Sequence, residues 1–91
     1  MIVTNRNRVT AIVIRHDGAT ATLVPMKGGK LAAKRVPQEV FLREWKEMNY
    51  SLANALARFL RHARQKGASQ EALKGLKRLA VRDACVVGCL F

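Results

Sequence analysis

The sequence predicts an α+β fold in a single domain, residues 1–91, with a three-stranded antiparallel β-meander (residues 9–36) followed by a helical part (residues 38–82) containing three helices. The first part is rich in β-branched residues and in Asp-Gly and Gly-Gly pairs, whereas the second has apolar residues spaced three and four apart. Hydrophobic residues make up 49% of the chain and charged residues 25%, a balance typical of a globular domain.

The first hairpin of the meander is predicted around Asp17-Gly18. The preceding segment, Val9–Ile14, is β-branched, and an Asp-Gly pair favours the positive φ angles of a type I′ turn. With these two residues as the loop, Ile12 is expected to face Leu23, and one face of the ribbon is apolar.

A second, strongly basic hairpin is predicted around Gly28-Gly29, which would bring Leu31 and Ala33 back beside the preceding strand. Pro25 cannot donate a ladder hydrogen bond and is expected at an edge or a bulge. The lysines, which include Lys27 and Lys30, suit either contact with phosphates or protection of a sheet edge, and the sequence leaves both open.

A first helix is predicted over residues 38–48, directly after Pro37. Phe41, Trp45 and Met48 then share one helical face, and Trp45 is expected to anchor the core. The shortage of aromatic residues, 5% of the chain, argues against a single-strand binder that stacks bases.

Two further helices are predicted on either side of Gly67, which is suited to end a helix in the left-handed conformation. Ser51 is the expected N-cap of the first, and Ser69 that of the second, which runs over residues 70–82. Gly75, inside the second helix, indicates close approach of another helix or of a DNA backbone.

The segment Phe59–Arg78 has the residues that a steeply crossing pair of helices needs. Such a crossing requires a small residue, a turn residue that tolerates positive φ, and apolar residues that hold the second helix on the first. Ala63, Gly67, Leu73 and Leu76 supply these, and in their spacing the segment resembles the helix-turn-helix family of DNA-binding proteins. The resemblance implies that the second helix enters the major groove of DNA.

The candidate contacts to nucleic acid follow from this resemblance and from the charge of the exposed positions. They are Ser69, Gln70, Lys74, Lys77 and Arg78 on the second helix, Arg58, Arg61 and Arg64 on the first, and Lys27 and Lys30 in the basic hairpin. Glutamine can pair bidentately with adenine and arginine with guanine, and a helix N-terminus suits a phosphate. His62 and Lys66 depart from the family's pattern, which usually has apolar residues there.

The net charge of +11, from 17 Lys and Arg against 6 Asp and Glu, predicts a polyanionic partner. We expect a small regulator of transcription that binds duplex DNA. The alternatives are a mobile-element type of inhibitor that docks on an acidic partner protein, and a protein that recognises the shape of structured RNA. A homodimer is expected, since a chain of this size builds only a modest core.

The sequence predicts no enzyme, cofactor or metal site. Cys85 and Cys89 are spaced four apart, which suits neither a disulfide framework nor a paired zinc site. The sequence places no residue beside His16 or His62 in a pattern typical of a catalytic partner. The apolar run near the start is too short to span a membrane, so a cytoplasmic protein is expected. Residues 83–91 are expected to form an apolar tail.

Overall fold

A computed structural model describes residues 1–82 and contains a five-stranded antiparallel sheet and three helices. The elements are β1 (Ile2–Asn5), β2 (Thr10–His16), β3 (Thr20–Pro25), β4 (Lys34–Pro37), α1 (Gln38–Glu44), β5 (Trp45–Glu47), α2 (Leu52–Lys66) and α3 (Gln70–Arg82). The predicted α+β class is confirmed, but the sheet has five strands rather than three. The predicted apolar tail, with both cysteines, lies outside the described residues.

The sheet is a curled meander with the strand order β4-β3-β2-β1-β5. β4 and β5 are therefore opposite edges of the sheet, although only α1 separates them in the chain. α1 contacts β3, β4 and β5 and so lies across one face of the sheet. α2 and α3 cover the opposite face, so the sheet is buried between two helical layers.

The extra strand at the N-terminus, β1, pairs with β2 through a turn that polar side chains stabilise. The Asn5 carboxamide oxygen accepts hydrogen bonds from the backbone N–H groups of Asn7 and Val9, at 3.0 and 3.1 Å. Arg8 takes a positive φ of 61° within this turn. The polar segment after Asn5 is thus a turn, and the short apolar run before it is a strand.

The hairpin between β2 and β3 forms where it was predicted, but its turn type and register differ. Ile12 pairs with Val24 rather than Leu23, and the register shifts between Val13 and Arg15. Gly18 does not adopt the positive φ of a type I′ turn. The loop is longer than two residues because hydrogen bonds to the Asp17 side chain shape it. The longer loop shifts the pairing of β2 with β3 from the predicted register.

The Asp17 carboxylate accepts hydrogen bonds from the backbone N–H groups of Thr20 and Ala19, at 2.8 and 2.9 Å. These bonds favour the charged form, so the pKa of Asp17 lies below its ordinary value. A lowered pKa means that the ionised group stabilises the fold at neutral pH. That contribution is lost as the pH falls through the lowered pKa.

We therefore expect an Asp17→Ala variant to have a lower melting temperature than wild type at pH 7, and the difference should shrink as the pH is lowered below the ordinary pKa range of aspartate and Asp17 takes up a proton. The Asp17→Asn variant retains an oxygen acceptor and should lose less at pH 7. Thermal unfolding of the three proteins across this pH range measures the effect. A difference between wild type and Asp17→Ala that stays constant with pH would contradict it.

The prediction of a second hairpin with a tight turn is wrong, because the chain leaves the sheet between β3 and β4. Pro25 ends β3, and β4 pairs with β3 only from Leu23↔Lys34 to Thr20↔Pro37. Residues 26–33 form a loop, which we call the basic loop, instead of a tight turn at the two glycines. Leu31, expected in the sheet, forms a parallel bridge with Ala68 because its side chain is buried among the helices.

The first helix ends four residues earlier than predicted, at Glu44. Trp45 is extended, with φ −120° and ψ 139°, and begins β5, which pairs with β1 from Asn5↔Trp45 to Val3↔Glu47. The predicted common face of Phe41, Trp45 and Met48 is therefore not formed. The free edge of β1 offers hydrogen bonds to this segment, and that long-range pairing overrides the local helical pattern.

Two apolar cores lie on the two faces of the sheet. Trp45, half-buried, packs against the core on the α1 side, whereas Met48 packs against the other. The core on the α1 side contains Val3, Ala11, Val13, Ala21, Leu23, Val36 and Phe41. The core beneath α2 and α3 contains Ile2, Ile12, Ile14, Val24, Leu31, Ala55, Leu56, Phe59, Leu60, Ala72, Leu76 and Ala80.

Candidate nucleic-acid interface

The two C-terminal helices begin and end at the residues that the sequence predicts. The Ser51 hydroxyl caps α2 by accepting from the Asn54 N–H, and the Ser69 hydroxyl caps α3 by accepting from the Ala72 N–H at 3.2 Å. Gly67 ends α2 with φ 90°, and its N–H donates to the Ala63 carbonyl at 2.8 Å. These caps fix the lengths of both helices and the turn between them.

The turn between α2 and α3 is held by the basic loop, a contact that the sequence did not predict. The Leu31 N–H donates to the Gly67 carbonyl at 3.0 Å, and the Ser69 N–H donates to the Leu31 carbonyl at 2.8 Å. On the same side, His62 Nε2 donates to the Gly29 carbonyl at 2.6 Å. The sequence signal that could have indicated this contact is a leucine isolated among lysines and glycines, a pattern typical of a side chain that is buried in the core.

α3 packs directly on β2, and this contact explains Gly75. A Cβ atom built on Gly75 would lie 2.6 Å from Ile14 Cδ1 and 2.8 Å from Ile14 Cβ. The expectation that Gly75 approaches another helix or a DNA backbone is therefore wrong, because the neighbour is a strand. The contact also fixes which face of α3 points away from the sheet.

The predicted contact residues are exposed, with Ser69 as the exception. Ser69 is half-buried, and both its hydroxyl oxygen and its N–H are engaged within the protein. The exposed candidates are Lys27, Lys30, Arg58, Arg61, Arg64, Gln70, Lys74, Lys77 and Arg78. Lys66 and Arg82, which are exposed on the same two helices, were not among the predicted contacts and add to their charge.

The loop lysines also come close to the helices. The side chain of Lys30 lies beside the α2–α3 turn, since its Cγ is 3.7 Å from a Cβ atom built on Gly67. Lys27 belongs to the same exposed loop. The fold thus brings a charged segment from the first half of the chain to the helical part, although not as the predicted β-hairpin.

The charges are divided unequally between the two helical layers. The α2–α3 layer, residues 51–82, carries eight Lys and Arg and one acidic residue, Glu71. That carboxylate is paired with Arg35 Nη2 at 2.9 Å. α1 on the opposite face has two glutamates and one arginine. The outer surface of α2 and α3, which we call the basic face, is therefore the more positive side of the sheet.

A groove of about 260 Å³ runs between α2 and α3 on this face. It brings together Arg64 of α2 and Lys77 of α3, which are predicted contacts thirteen residues apart in the chain. The other lining residues within 1–82 are apolar: Leu60, Ala63, Ala68 and Leu73. The arrangement can bind an anion at its rim and an apolar group on its floor.

Within residues 1–82, no three His, Cys, Asp or Glu side chains are grouped closely enough to hold a metal ion. In the same part of the chain, no helix has the length and hydrophobicity needed to cross a membrane.

Comparison of the chain with protein-family models, with curated proteins and with solved structures gave no match. Function is therefore inferred from the side chains and their geometry.

Proposed function

We propose that this protein binds duplex DNA through the basic face, with α3 presented to a groove and α2 along the phosphate backbone, as a small regulator of transcription. The observation that carries the proposal is the charge distribution. Eight cationic side chains lie on α2 and α3, and the single carboxylate there is already neutralised by Arg35. A surface of this kind attracts polyanions and gains affinity from counterion release.

The dimensions of α2 suit a DNA backbone. Its 15 residues make a rod of about 22 Å, which is roughly the length of six base pairs. Arg58, Arg61 and Arg64 are exposed along it at intervals of three residues. Long, flexible guanidinium groups at this spacing can reach successive phosphates while the apolar side of the helix stays on the core.

α3 carries the groups suited to base contacts. Gln70 and Lys74 are one helical turn apart on the exposed side, with Arg78 a further turn along. Glutamine pairs bidentately with adenine, and arginine and lysine with guanine, in the major groove. The Ser69 cap and the contact of Gly75 with Ile14 hold this helix in a fixed rotation, which base recognition requires.

The basic face also attracts RNA and acidic proteins, so the test has to separate these partners. A fluorescein-labelled duplex of random sequence is titrated with the protein between about 50 and 300 mM salt, followed by anisotropy. We expect log K to fall with log salt concentration at a slope of about −4 to −6, as for roughly five to seven neutralised phosphates. A slope near zero, or stronger binding to duplex RNA than to duplex DNA, would overturn the proposal.

Variants of α2 test which face is used. Arg61→Ala with Arg64→Ala should weaken binding to every duplex and make the salt slope about 2 units less steep. The matched control is Arg43→Ala with Lys46→Ala, which removes the same charge from α1 and the edge strand β5, outside the basic face. Equal losses in the two pairs would show that binding follows net charge and not the basic face.

Variants of α3 test sequence recognition. Gln70→Ala with Lys74→Ala should narrow the affinity difference between a selected duplex and random DNA, at a cost of about 1–3 kcal/mol on the selected site alone. The selected duplex comes from enrichment of a random pool on wild-type protein. If these variants lose affinity equally for both duplexes, α3 contributes only phosphate contacts.

A further inference from the structure

The groove between α2 and α3 has an apolar floor, which does not match the groups that DNA presents to a protein. Its floor is formed by the side chains of Leu60, Ala63, Ala68 and Leu73. Apart from the thymine methyl group, the base edges exposed in the grooves of DNA present hydrogen-bonding atoms rather than apolar groups. An apolar floor inside a basic face is therefore suited to a different partner.

The size of the groove selects the kind of group that it holds. Its volume of about 260 Å³ is below the roughly 300–1,000 Å³ of sites that enclose a small molecule, and it is partly open to solvent. A space of this size and shape suits one large side chain from a protein. Insertion of an apolar side chain from an amphipathic helix between two helices is a recurrent mode of peptide recognition.

The rim defines the charge of the partner. Arg64 and Lys77 line the groove from its two sides, and within residues 1–82 neither forms a salt bridge. We propose that this groove binds an acidic amphipathic helix of a partner protein, with one leucine, methionine or phenylalanine on the floor and carboxylates at Arg64 and Lys77. This binding does not depend on the proposed contact with DNA.

A second copy of this chain is a poor occupant of the groove. Each copy carries a net charge of +11 and only 6 acidic residues, so a second copy brings repulsion rather than matching carboxylates. The side chains at the rim are also among those proposed to contact phosphates. Binding of the acidic helix is therefore expected to compete with DNA, and this consequence rests on the proposed function.

The test uses three labelled peptides and the full chain, measured by anisotropy at about 150 mM salt. The parent peptide has leucines at positions i, i+4 and i+7 and glutamates between them. One control has serines in place of the leucines, and the other has glutamines in place of the glutamates. We expect the serine control to bind about 10- to 100-fold more weakly than the parent, the magnitude typical of one buried leucine. The glutamine control should bind about two- to fivefold more weakly for each carboxylate lost at the rim, the magnitude typical of an exposed ion pair.

Variants of the protein locate the site. Arg64→Ala and Lys77→Ala should each weaken binding of the parent peptide about two- to fivefold, whereas Arg58→Ala, which removes the same charge outside the groove, should change the affinity by less than about 1.5-fold. Leu73→Gln should weaken it further, with thermal unfolding as the check on folding. If that variant fails to fold, the serine peptide tests the apolar contact from the other side.

Two results would overturn the inference. One is equal affinity for the parent and the serine peptide, which would mean charge attraction alone. The other is a loss from Arg58→Ala as large as that from Arg64→Ala. A duplex of random DNA added to the complex should release the parent peptide. If the peptide binds by these criteria but DNA does not release it, the groove site stands and the shared surface with DNA does not.

Discussion

Replacing Gly75 with alanine is expected to destabilise the protein by up to about 2 kcal/mol, although alanine is the better helix former. Helix propensity alone predicts a gain of about 1 kcal/mol for this change. Against that, the new methyl group would lie 2.6 to 3.0 Å from three atoms of Ile14. Overpacking of a close-packed core costs about 1–3 kcal/mol, so the steric term outweighs the propensity term.

The sign of the effect depends on whether Ile14 can move away. Its Cδ1 is the flexible end of the side chain, but its Cβ, 2.8 Å from the new atom, is fixed to the central strand β2. Relief therefore needs α3 to move off the sheet, which would loosen the contacts of Ala72 and Leu76 in the same core.

Urea unfolding of wild type and Gly75→Ala measures the effect, and Ile14→Val supplies the control. Valine lacks the Cδ1 atom that is closest to the new methyl group, so Gly75→Ala should cost less in the Ile14→Val background than in wild type. An increase in stability of the Gly75→Ala single variant would show that α3 is not held tightly against β2.

Replacing Leu31 with alanine should reduce the free energy of unfolding by about 2–4 kcal/mol. Leu31 is only 1% exposed, although it lies in a loop and belongs to no strand of the sheet. It fills space in the core beneath α2 and α3, and its backbone bonds to Gly67 and Ser69 at the turn between them. A truncated side chain leaves a cavity and weakens the attachment of the basic loop.

Leu42→Ala is the matched control, because it removes the same atoms from a side chain that is 67% exposed, and it should change stability by less than about 0.5 kcal/mol. Limited digestion with trypsin gives a second measurement. Cleavage after Lys27 and Lys30 should be faster in Leu31→Ala than in wild type, since local opening of a loop controls its proteolysis. Similar stability of the two variants would contradict the role of Leu31.

The two C-terminal helices could be predicted from the sequence because their signals are local. Ser51, Gly67 and Ser69 act within one turn of the chain, and all three cap or end a helix as expected. The apolar spacing of α2 and α3 likewise identified their buried sides, including Leu56 and Leu76. Such features depend on neighbours three or four residues away, which a sequence displays directly.

The strands β1 and β5 could not be predicted, because each depends on a partner that is distant in the sequence. Trp45 continues a helical pattern in the sequence, yet it is extended because β1 lies beside it. β1 in turn is too short to be recognised without β2. Pairing across the length of the chain overrides a weak local preference, and nothing in the segment itself records that outcome.

The features of the candidate site also divide into those that follow from the local sequence and those that depend on tertiary packing. Exposure and positive charge at Arg61 and Lys74 follow from helical periodicity, and the structure agrees. The groove that joins Arg64 to Lys77 and the position of the basic loop against Gly67 both depend on tertiary packing. Charge alone thus indicated a class of partner, whereas the apolar groove became visible only in three dimensions.

The order of the elements along the chain also has a consequence during synthesis. All five strands precede residue 48, so they leave the ribosome before α2 and α3 do, by at most about 2–7 seconds at typical elongation rates. During that interval Ile12, Ile14 and Val24 face water with no covering helix. Nascent chains are therefore most exposed to aggregation, and to capture by chaperones, just before the two basic helices emerge.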